Sequence, residues 1–247
     1  MLQIHVLGYW GTYPNPGEAT AGYLIEADRK KVLLDCGSGV LAQMGQICSV
    51  NDLSAVVITH HHHDHTADLG VLGYAILLSR LMNERTQPLP MYMPAGRPDL
   101  TSDFEVEPMI ELNLLNEKSV VNVGGMTIRF TRTEHPVFCL AVRIEYEDTV
   151  FAYSADSAFS NGLVEIARDA DLFLCEASMY DGQEDTARQA GHLTAGQAGS
   201  LAQAAGSKRL VLTHYPHYGD LRWLKQQAEQ QFSGPVEMVQ MRKVLKV

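Results

Sequence analysis

One short segment constrains this chain more than any other: residues 59–65 read Thr-His-His-His-His-Asp-His. The segment follows residues 55–58, an apolar run typical of a buried strand. Five imidazoles and a carboxylate therefore leave the end of one strand within six positions. Neutral imidazole nitrogens and carboxylate oxygens are ligands for divalent zinc, manganese or iron. An expression tag would be terminal, so the open alternatives are a metal-binding turn and a solvated polar loop.

The composition limits the partners of the protein. Of its 247 residues, 46% are hydrophobic and 19% are charged, with a formal net charge of −10. Polymeric nucleic acid is held largely through its phosphates and needs a basic face, but the 19 Lys and Arg residues form no dense cluster. No apolar run approaches the roughly 20 residues that span a bilayer. We therefore expect a small-molecule substrate, and neither long nucleic acid nor a membrane as a partner.

The cysteines and the N-terminus indicate the compartment. The four cysteines, at positions 36, 48, 139 and 175, are scattered and form no CxxC pair. The first residues read as a strand and lack the basic region of a signal peptide. Because disulfides are rare in reducing compartments, we expect free core thiols in a cytoplasmic protein.

The apolar pattern predicts an alternation of strands and helices in a single domain, residues 1–247, that is built from two similar halves. No linker, repeat or low-complexity stretch divides the chain. Mixed sheets with helices outside them form a layered α/β sandwich. Strands are predicted at residues 2–7, 22–26, 31–35, 56–59, 90–93, 126–134, 138–146, 149–154, 172–176, 209–213 and 236–241. Helices are predicted at residues 40–47, 68–84, 163–170, 194–205 and 220–232.

Two stretches of this pattern carry further expectations. Residues 86–116 contain five prolines, which predict a looser segment around the strand at 90–93. The helical spacing of Leu69, Leu72, Ala75, Ile76, Leu78 and Leu81 indicates a face packed in the core. The same helix could instead supply a dimer interface.

Three more polar residues stand just after predicted strands: His135, Asp156 and His214. A lone histidine at a strand end is usually a capped or surface residue. Strand ends that face one edge of a sandwich can, however, converge on one point. With the run at 60–65, these residues provide about the number of ligands that a two-metal hydrolytic centre requires.

Several motifs together resemble the metallo-β-lactamase superfamily and, within it, ribonuclease Z and its relatives. The run at 59–65 fits the superfamily motif T-H-x-H-x-D-H, and the order of the other matches is also that of the relatives. The resemblance implies a four-layered αββα sandwich, the metallo-β-lactamase fold. The other matching segments are residues 33–39 (L-x-D-C-G-x-G), 88–96 (P-L-x-I-Y-G-P-x-G), 153–157 (Y-S-G-D-T), 191–194 (G-H-S-T) and 212–215 (L-T-H-F).

The resemblance also implies a set of metal ligands. Zinc is the default metal for such a nitrogen and oxygen set, and manganese or iron would also fit. One ion would be held by His60, His62 and His135. A second ion would be held by Asp64, His65 and His214, with Asp156 bridging both.

Three residues are predicted to act in catalysis. Asp64 would orient the attacking water or accept its proton. His192, by the resemblance, would contact the scissile phosphate or protonate the leaving group, and Glu176 would orient that imidazole. The alternative for His192 and Glu176 is a purely structural role. His5 and His217 are interpreted as structural or surface residues, while the aromatic loop at 8–14 could stack on a base or simply pack.

One departure from ribonuclease Z narrows the predicted substrate. That family carries a long tRNA-binding arm, but only twenty residues separate His135 from Asp156, and no basic insert follows Asp156. We therefore predict a dinuclear-metal phosphodiesterase that uses metal-activated hydroxide on cyclic nucleotides or short oligonucleotides. The alternatives are an RNA-processing endonuclease of ribonuclease Z type, a thiolester or lactone hydrolase, and an iron oxidoreductase. Relatives of this type are commonly homodimers, but the sequence leaves the oligomeric state open, because a buried core face explains the apolar helix at 68–84 equally well.

Overall fold

The computed structural model describes residues 1–95 and 109–247, and within them two seven-stranded sheets. The first sheet contains β1 (Gln3–Gly8), β2 (Gly22–Ala27), β3 (Lys30–Leu34), β4 (Leu53–Val57), β5 (Leu89–Pro94), β6 (Ile110–Leu115) and β14 (Val244–Lys246). The second contains β7 (Val120–Val123), β8 (Met126–Arg132), β9 (Leu140–Tyr146), β10 (Thr149–Tyr153), β11 (Leu172–Glu176), β12 (Leu210–Thr213) and β13 (Val236–Met238). The first sheet has the spatial order β14-β1-β2-β3-β4-β5-β6, and the second has the order β13-β12-β11-β10-β9-β8-β7.

Helices connect many of these strands. Two of the longer helices begin where the local sequence satisfies free backbone N–H groups: Thr194 and Gln197 form a capping box, and Asp220 accepts from the N–H of Arg222 at 3.0 Å. The helices are α1 (Val40–Met44), α2 (His63–Thr66), α3 (Leu69–Leu81), α4 (Asn161–Ile166), α5 (Glu184–Ala190), α6 (Ala195–Ala205) and α7 (Leu221–Gln231), with a 3₁₀ turn at Val50–Asp52.

The alternation of side chains along each strand creates the layers. In β2, Tyr23 and Ile25 pack between the two sheets, whereas Leu24 packs on the outer side, with residues of α1 and α3. The period of two places consecutive side chains on opposite faces, so a strand that is apolar throughout needs cover on both. Helices α4, α6 and α7 contribute Leu163, Leu201 and Leu224 to the core on the side of the second sheet. The predicted four-layered αββα sandwich is confirmed.

The direction of the strands decides where the connecting loops meet. Strands β3 to β6 are parallel to one another, and so are strands β10 to β13. Strand β2 is antiparallel to both β1 and β3, so β1 runs in the same direction as β3. Strand β9 is likewise antiparallel to both β8 and β10, so β8 runs in the same direction as β10. Loops that follow β1, β3, β4, β8, β10, β11 and β12 therefore leave from carboxyl ends of strands, where α/β sheets usually place their ligands.

Most predicted elements agree with the structure, and the missed strands share a cause. The predicted strand at 172–176 coincides with β11, while β6, β7 and β14 were not predicted. Each of these three strands lies at the edge of its sheet, where fewer side chains are buried and the apolar signal is weak. The looser segment predicted up to residue 116 is wrong at its end, because residues 110–115 form β6. Its residues 96–108 lie outside the described part.

Helix α3 packs in the core along one side only. Leu69, Leu72 and Ile76 are buried, as the spacing predicts. Leu78 and Leu81 are exposed, so the prediction of core packing is wrong for these two residues. Together with Val71, Tyr74 and Met82 they form an exposed apolar stripe on the helix, which we call the α3 stripe. The spacing could not separate the two sides because apolar residues occupy both.

Two observations bear on the predicted environment of the protein. The cysteines at 36, 48, 139 and 175 are free, and three of them are buried, as expected for core thiols. Among the described residues, every helix is too short or too polar to cross a membrane.

Candidate metal centre

The loops at this edge bring together all seven residues that the sequence predicts as metal ligands. In each of two groups, one nitrogen or oxygen per residue lies within 4.8 Å of the corresponding atoms of the others. Asp156 belongs to both groups and is almost completely buried. The first group is His60, His62, His135 and Asp156, and the second is Asp64, His65, Asp156 and His214.

Asp156 lies between the two groups at close distances. Its Oδ2 is 3.6 Å from Nε2 of His60 and 3.5 Å from Nε2 of His214, and its Oδ1 is 3.5 Å from Nε2 of His65. Oδ1 of Asp156 and Nε2 of His65 are buried and have no hydrogen-bond partner among the described residues. Buried polar atoms are normally paired, so donors and acceptors that point at a common centre in this way fit a metal ion.

The hydrogen bonds of the imidazoles on their outer sides assign their tautomers. Nδ1 of His135 donates to the carbonyl oxygen of Gly191 at 2.8 Å, and Nδ1 of His65 donates to Oδ2 of Asp35 at 2.8 Å. Nδ1 of His60 faces Oγ1 of Thr59 at 3.0 Å. Each of these contacts accounts for the proton of the ring and leaves Nε2, on the inner side, with a free electron pair. This is the arrangement of metal-binding histidines, whose outer partners fix the ring.

The charges of the two groups differ. Burial lowers the pKa of His60, His62 and His135, which favours the neutral imidazole that a metal requires. Burial also opposes protonation of His65 and His214, but neighbouring carboxylates together outweigh it and raise the pKa of both: Asp156 and Asp35 act on His65, and Asp156 and Asp64 act on His214. A metal bound by the second group would therefore displace protons from these imidazoles.

Asp35 supports the centre from outside the ligand set, and sequence reasoning gave it no role. This buried carboxylate follows β3 and accepts from the backbone N–H and the hydroxyl of Thr59, at 2.8 and 3.0 Å, as well as from His65. It therefore fixes the start of the histidine run and the orientation of one ligand. The L-x-D-C-G-x-G segment contained Asp35, and its position inside that motif was the available signal.

His192 and Glu176 lie next to the second group. Nδ1 of His192 is 3.1 Å from Oε1 of Glu176, which is buried at the end of β11. Burial of His192 opposes protonation, but the Glu176 carboxylate outweighs it and raises the pKa of His192 to about 9. The ring of His192 stacks on that of His214, with centroids 5.5 Å apart. This pKa favours the protonated imidazole at pH 7, and the ring beside the candidate ligands is partly accessible.

Ser178 links this pair to the candidate ligands, and sequence reasoning missed it. Its hydroxyl donates to Oε2 of Glu176 at 2.5 Å and accepts from Nδ1 of His214 at 2.8 Å. The serine therefore passes the orienting effect of one carboxylate to His214, while the same carboxylate holds His192 directly. Ser178 stands two residues after Glu176, and nothing in the local pattern distinguishes it from a loop serine.

The remaining histidines have other roles. His61 donates to the carbonyl oxygen of Pro94 at 2.8 Å, and His63 is exposed on α2. Both correspond to variable positions of the T-H-x-H-x-D-H motif. His5 pairs with Glu26 at 3.2 Å, far from the centre. His217 stacks on the aromatic loop that borders the centre, which agrees with the structural role among the two predicted for it.

Strained backbone accompanies several of these positions. Thr12, Asp35, Ala155 and His214 have positive φ values of 66°, 59°, 49° and 55°, although none is glycine. Such conformations cost free energy and persist where surrounding contacts fix them, most often at functional sites. The N–H of Thr12 donates to Oδ2 of Asp64 at 2.9 Å, which ties the aromatic loop to the second group.

Comparisons with known proteins agree with this geometry. The family described as the β-lactamase superfamily domain matches residues 30–215. A probable metallo-hydrolase of Bacillus subtilis, YhfI, is 33% identical over an alignment of 245 positions that covers 96% of each chain. Ribonuclease Z of Myxococcus xanthus is 26% identical, with 96% of this chain and 95% of the relative aligned.

Solved structures give the same result for the fold. The crystal structure of YhfI, described as a metallo-β-lactamase fold protein, has a TM-score of 0.95 and 32% identity, covering 99% of this chain and 98% of that one. The short form of human tRNase Z has a TM-score of 0.78 and 22% identity, with 99% of both chains covered. Such a fold with these histidine and aspartate clusters implies divalent metal ions. The chain belongs to the metallo-β-lactamase superfamily and is related to ribonuclease Z.

Proposed function

We propose that the protein is a dinuclear metal-dependent hydrolase that acts on small phosphodiesters, such as cyclic nucleotides or short oligonucleotides. One observation carries the proposal: Asp156 lies 3.5–3.6 Å from a nitrogen of His60, of His65 and of His214, between two groups of candidate ligands. Two ions held there would activate a water molecule and stabilise charge on the phosphoryl and leaving oxygens. Zinc is the metal that we propose first, because nitrogen ligands predominate.

The chain's own residues supply the remaining steps. Oδ2 of Asp64 accepts from the N–H of Thr12 at 2.9 Å and lies 3.3 Å from Nε2 of His214, so this carboxylate is held in place by its neighbours. Asp64 therefore orients the attacking water. His192 carries a proton at pH 7 and presents Nε2, since Nδ1 is held by Glu176. From that atom it would protonate the leaving oxygen, as a general acid does.

Two features support a small substrate over a polymer. The net charge is −10, which opposes the phosphate contacts that hold long nucleic acid. The alignment with the Myxococcus ribonuclease Z extends over 296 positions, more than the 247 residues of this chain, so the relative contains insertions that this chain lacks. The catalytic groups would then act without an additional polymer-binding segment.

A side-by-side hydrolysis assay tests the proposal. Zinc-loaded protein is compared on bis-p-nitrophenyl phosphate, 2′,3′- and 3′,5′-cyclic nucleotides, a short oligonucleotide and a precursor tRNA. Asp156→Ala serves as the inactive control, and Asp68→Asn, in the loop before α3, serves as a variant that leaves the candidate ligands intact. We expect turnover of the small diesters with the tRNA intact.

Other outcomes of the same assay point to the alternatives. Endonucleolytic cleavage of the tRNA would establish an RNA-processing enzyme and refute the proposed preference for small substrates. No turnover of any phosphate, together with hydrolysis of a thiolester or lactone, would replace the phosphodiesterase proposal. Redox activity with iron bound in place of zinc would indicate an oxidoreductase.

We also propose that the protein is a cytoplasmic homodimer. The free cysteines suit a reducing compartment. The α3 stripe is a contiguous apolar surface, and a two-fold axis can pack such a helix face against its own copy. Sedimentation should show a dimer that becomes a monomer in Tyr74→Glu, whereas a wild-type monomer would refute this assignment.

A further inference from the structure

A group of aromatic side chains lies beside the metal centre, and the proposed hydrolysis assigns no role to it. A cavity of about 340 Å³ is bordered by His192 and His214 on one side and by the loops after β1 and β12 on the others. This volume is near the lower end of the range for small-molecule sites, about 300–1,000 Å³. We call it the aromatic cavity. Its other lining residues include Gly11, Thr12, Tyr13 and His217.

Ring stacking and a hydrogen bond hold the aromatic rings at this cavity in place. The ring of His217 stacks on Tyr13 at 3.7 Å between centroids and 7°, and on Trp10 at 4.7 Å and 18°. Nε2 of His217 donates to the carbonyl oxygen of Tyr13 at 2.7 Å. Trp10 is buried, whereas Tyr13 is 55% exposed, so Tyr13 is the accessible ring of a fixed stack. A rigid, accessible aromatic ring binds planar groups at low entropic cost.

The loop that carries Tyr13 is also fixed to the metal centre. The N–H of Thr12 donates to Asp64, and a Cβ at Gly11 would lie 2.8 Å from Cε1 of His214. Gly11 therefore permits a close approach that another residue would block. The loop after β1 thus contacts two candidate ligands, Asp64 and His214, so the aromatic cavity lies next to the metal centre. A short linker would therefore be enough to join a group in the cavity to a phosphate at the centre.

The charges of the surroundings decide what kind of group fits. The imidazoles of His192 and His214 line the aromatic cavity on the side of the metal centre, and no Asp, Glu, Lys or Arg is among the other described residues that line it. A second cavity, of about 600 Å³ on the other side of His135, is lined by Glu134 and Arg188 as well as by Phe159. A second phosphate or other ionic group would lie better near Arg188, while an uncharged planar group fits the aromatic cavity.

We propose that the aromatic cavity is the base-binding subsite, where the nucleobase of a nucleotide phosphodiester stacks on Tyr13 while its phosphate lies at the metal centre. The inference rests on the proposed function and selects nucleotides among small phosphodiesters. Stacking of a base on an aromatic side chain changes binding roughly 5- to 100-fold on replacement by alanine. Specificity for the base itself is expected to be weak, because every base has an aromatic face.

Calorimetric titration tests the subsite independently of turnover. Zinc-loaded wild-type protein, Tyr13→Ala and Tyr13→Phe are each titrated with adenosine 5′-monophosphate and with ribose 5-phosphate, which lacks the base. Wild type and Tyr13→Phe should bind the nucleotide roughly 5- to 100-fold more tightly than the sugar phosphate. Tyr13→Ala should lose this difference. Phe159→Ala, an exposed aromatic in the second cavity, is the matched control and should retain it.

The outcomes separate this inference from the proposed function. Equal affinity of wild type for the two compounds, or a difference that survives in Tyr13→Ala, would overturn the subsite. Loss of the difference in Phe159→Ala alone would move the base to the second cavity and also overturn it. Failure of the proposed function appears instead as absence of phosphodiester turnover in the hydrolysis assay, whatever the titrations give.

Discussion

Replacement of Asp35 by asparagine tests whether this carboxylate sets the tautomer of a metal ligand. Oδ1 of Asp35 accepts from the N–H of Thr59 at 2.8 Å, and Oδ2 accepts from Nδ1 of His65 at 2.8 Å. Both carboxylate oxygens of Asp35 therefore accept hydrogen bonds from N–H donors. An asparagine offers one acceptor and one donor, so either orientation of its amide places an N–H against another N–H.

The consequence for metal binding follows from this conflict. If the amide nitrogen faces His65, the proton of the imidazole is forced to Nε2, the atom that points at Asp156. Loss of such an outer partner typically weakens metal binding 10- to 100-fold, or about 1.4–2.8 kcal/mol. The opposite orientation leaves a buried N–H of Thr59 unsatisfied and costs about 1–3 kcal/mol of folding stability. We expect weaker binding of the ion held by Asp64, His65 and His214, and little change for the other ion.

Competition with a chromophoric chelator measures both affinities. Metal-free protein is titrated with Zn²⁺, and thermal unfolding in chelator reports the stability of the fold alone. Asp68→Asn is the matched control, because Asp68 accepts from the N–H of Leu41 at 3.0 Å and makes no recorded hydrogen bond to the imidazoles. If Asp35→Asn binds two zinc ions as tightly as wild type and unfolds at the same temperature, the proposed role of Asp35 is wrong.

Further predictions concern the proposed bridging ligand Asp156, the proposed general acid His192, and two other residues, Ser178 and Asp171. Asp156→Ala should abolish binding of both ions, and two ions at full occupancy by elemental analysis would contradict the bridge. His192→Ala should keep both ions but lower kcat roughly 100- to 10,000-fold, and an unchanged rate would make this residue structural. Ser178→Ala should weaken zinc binding and lower kcat by about tenfold or more, and Ser178→Thr, which keeps the hydroxyl, should restore both. Unchanged zinc binding and kcat in Ser178→Ala would refute the proposal that Ser178 links Glu176 to His214. Partial burial alone would raise the pKa of Asp171, but Lys208 and a backbone N–H lower it, so its stabilisation is present above about pH 4 and lost as the pH falls through the folded pKa. Asp171→Asn should therefore lower the free energy of unfolding by roughly 1 kcal/mol at pH 7, and an equal loss at pH 3 would contradict the assignment.

Local sequence patterns predicted many of the strands and helices of the fold. The apolar runs of β2, β3 and β11 predicted strands because both faces of a central strand are buried. The turn between β2 and β3 lies at Asp28 and Arg29, whose positive φ values of 45° and 63° suit a two-residue hairpin turn. The strands at the edges and the polar helix α5 gave weak signals because few of their side chains are buried.

The run at 59–65 also fixed the chemistry to be expected, because six consecutive positions after one strand end contain most of a ligand set. The convergence of His135, Asp156 and His214 on that run was an expectation from strand ends, and the parallel strands supply the geometry for it. Resemblance to known relatives added the roles of individual residues. Sequence alone therefore determined the class of fold and the candidates for metal binding.

Only the tertiary structure decided which groups support and surround these candidates. The carboxylate of Asp35 meets His65 across thirty positions of sequence, and Tyr13 meets His217 across more than two hundred. Ser178 acquires its position only when β11 and β12 lie side by side. Such contacts join residues that are distant in the chain, and no periodic or local pattern encodes them. They arise when packing of the two sheets brings the loops at one edge together.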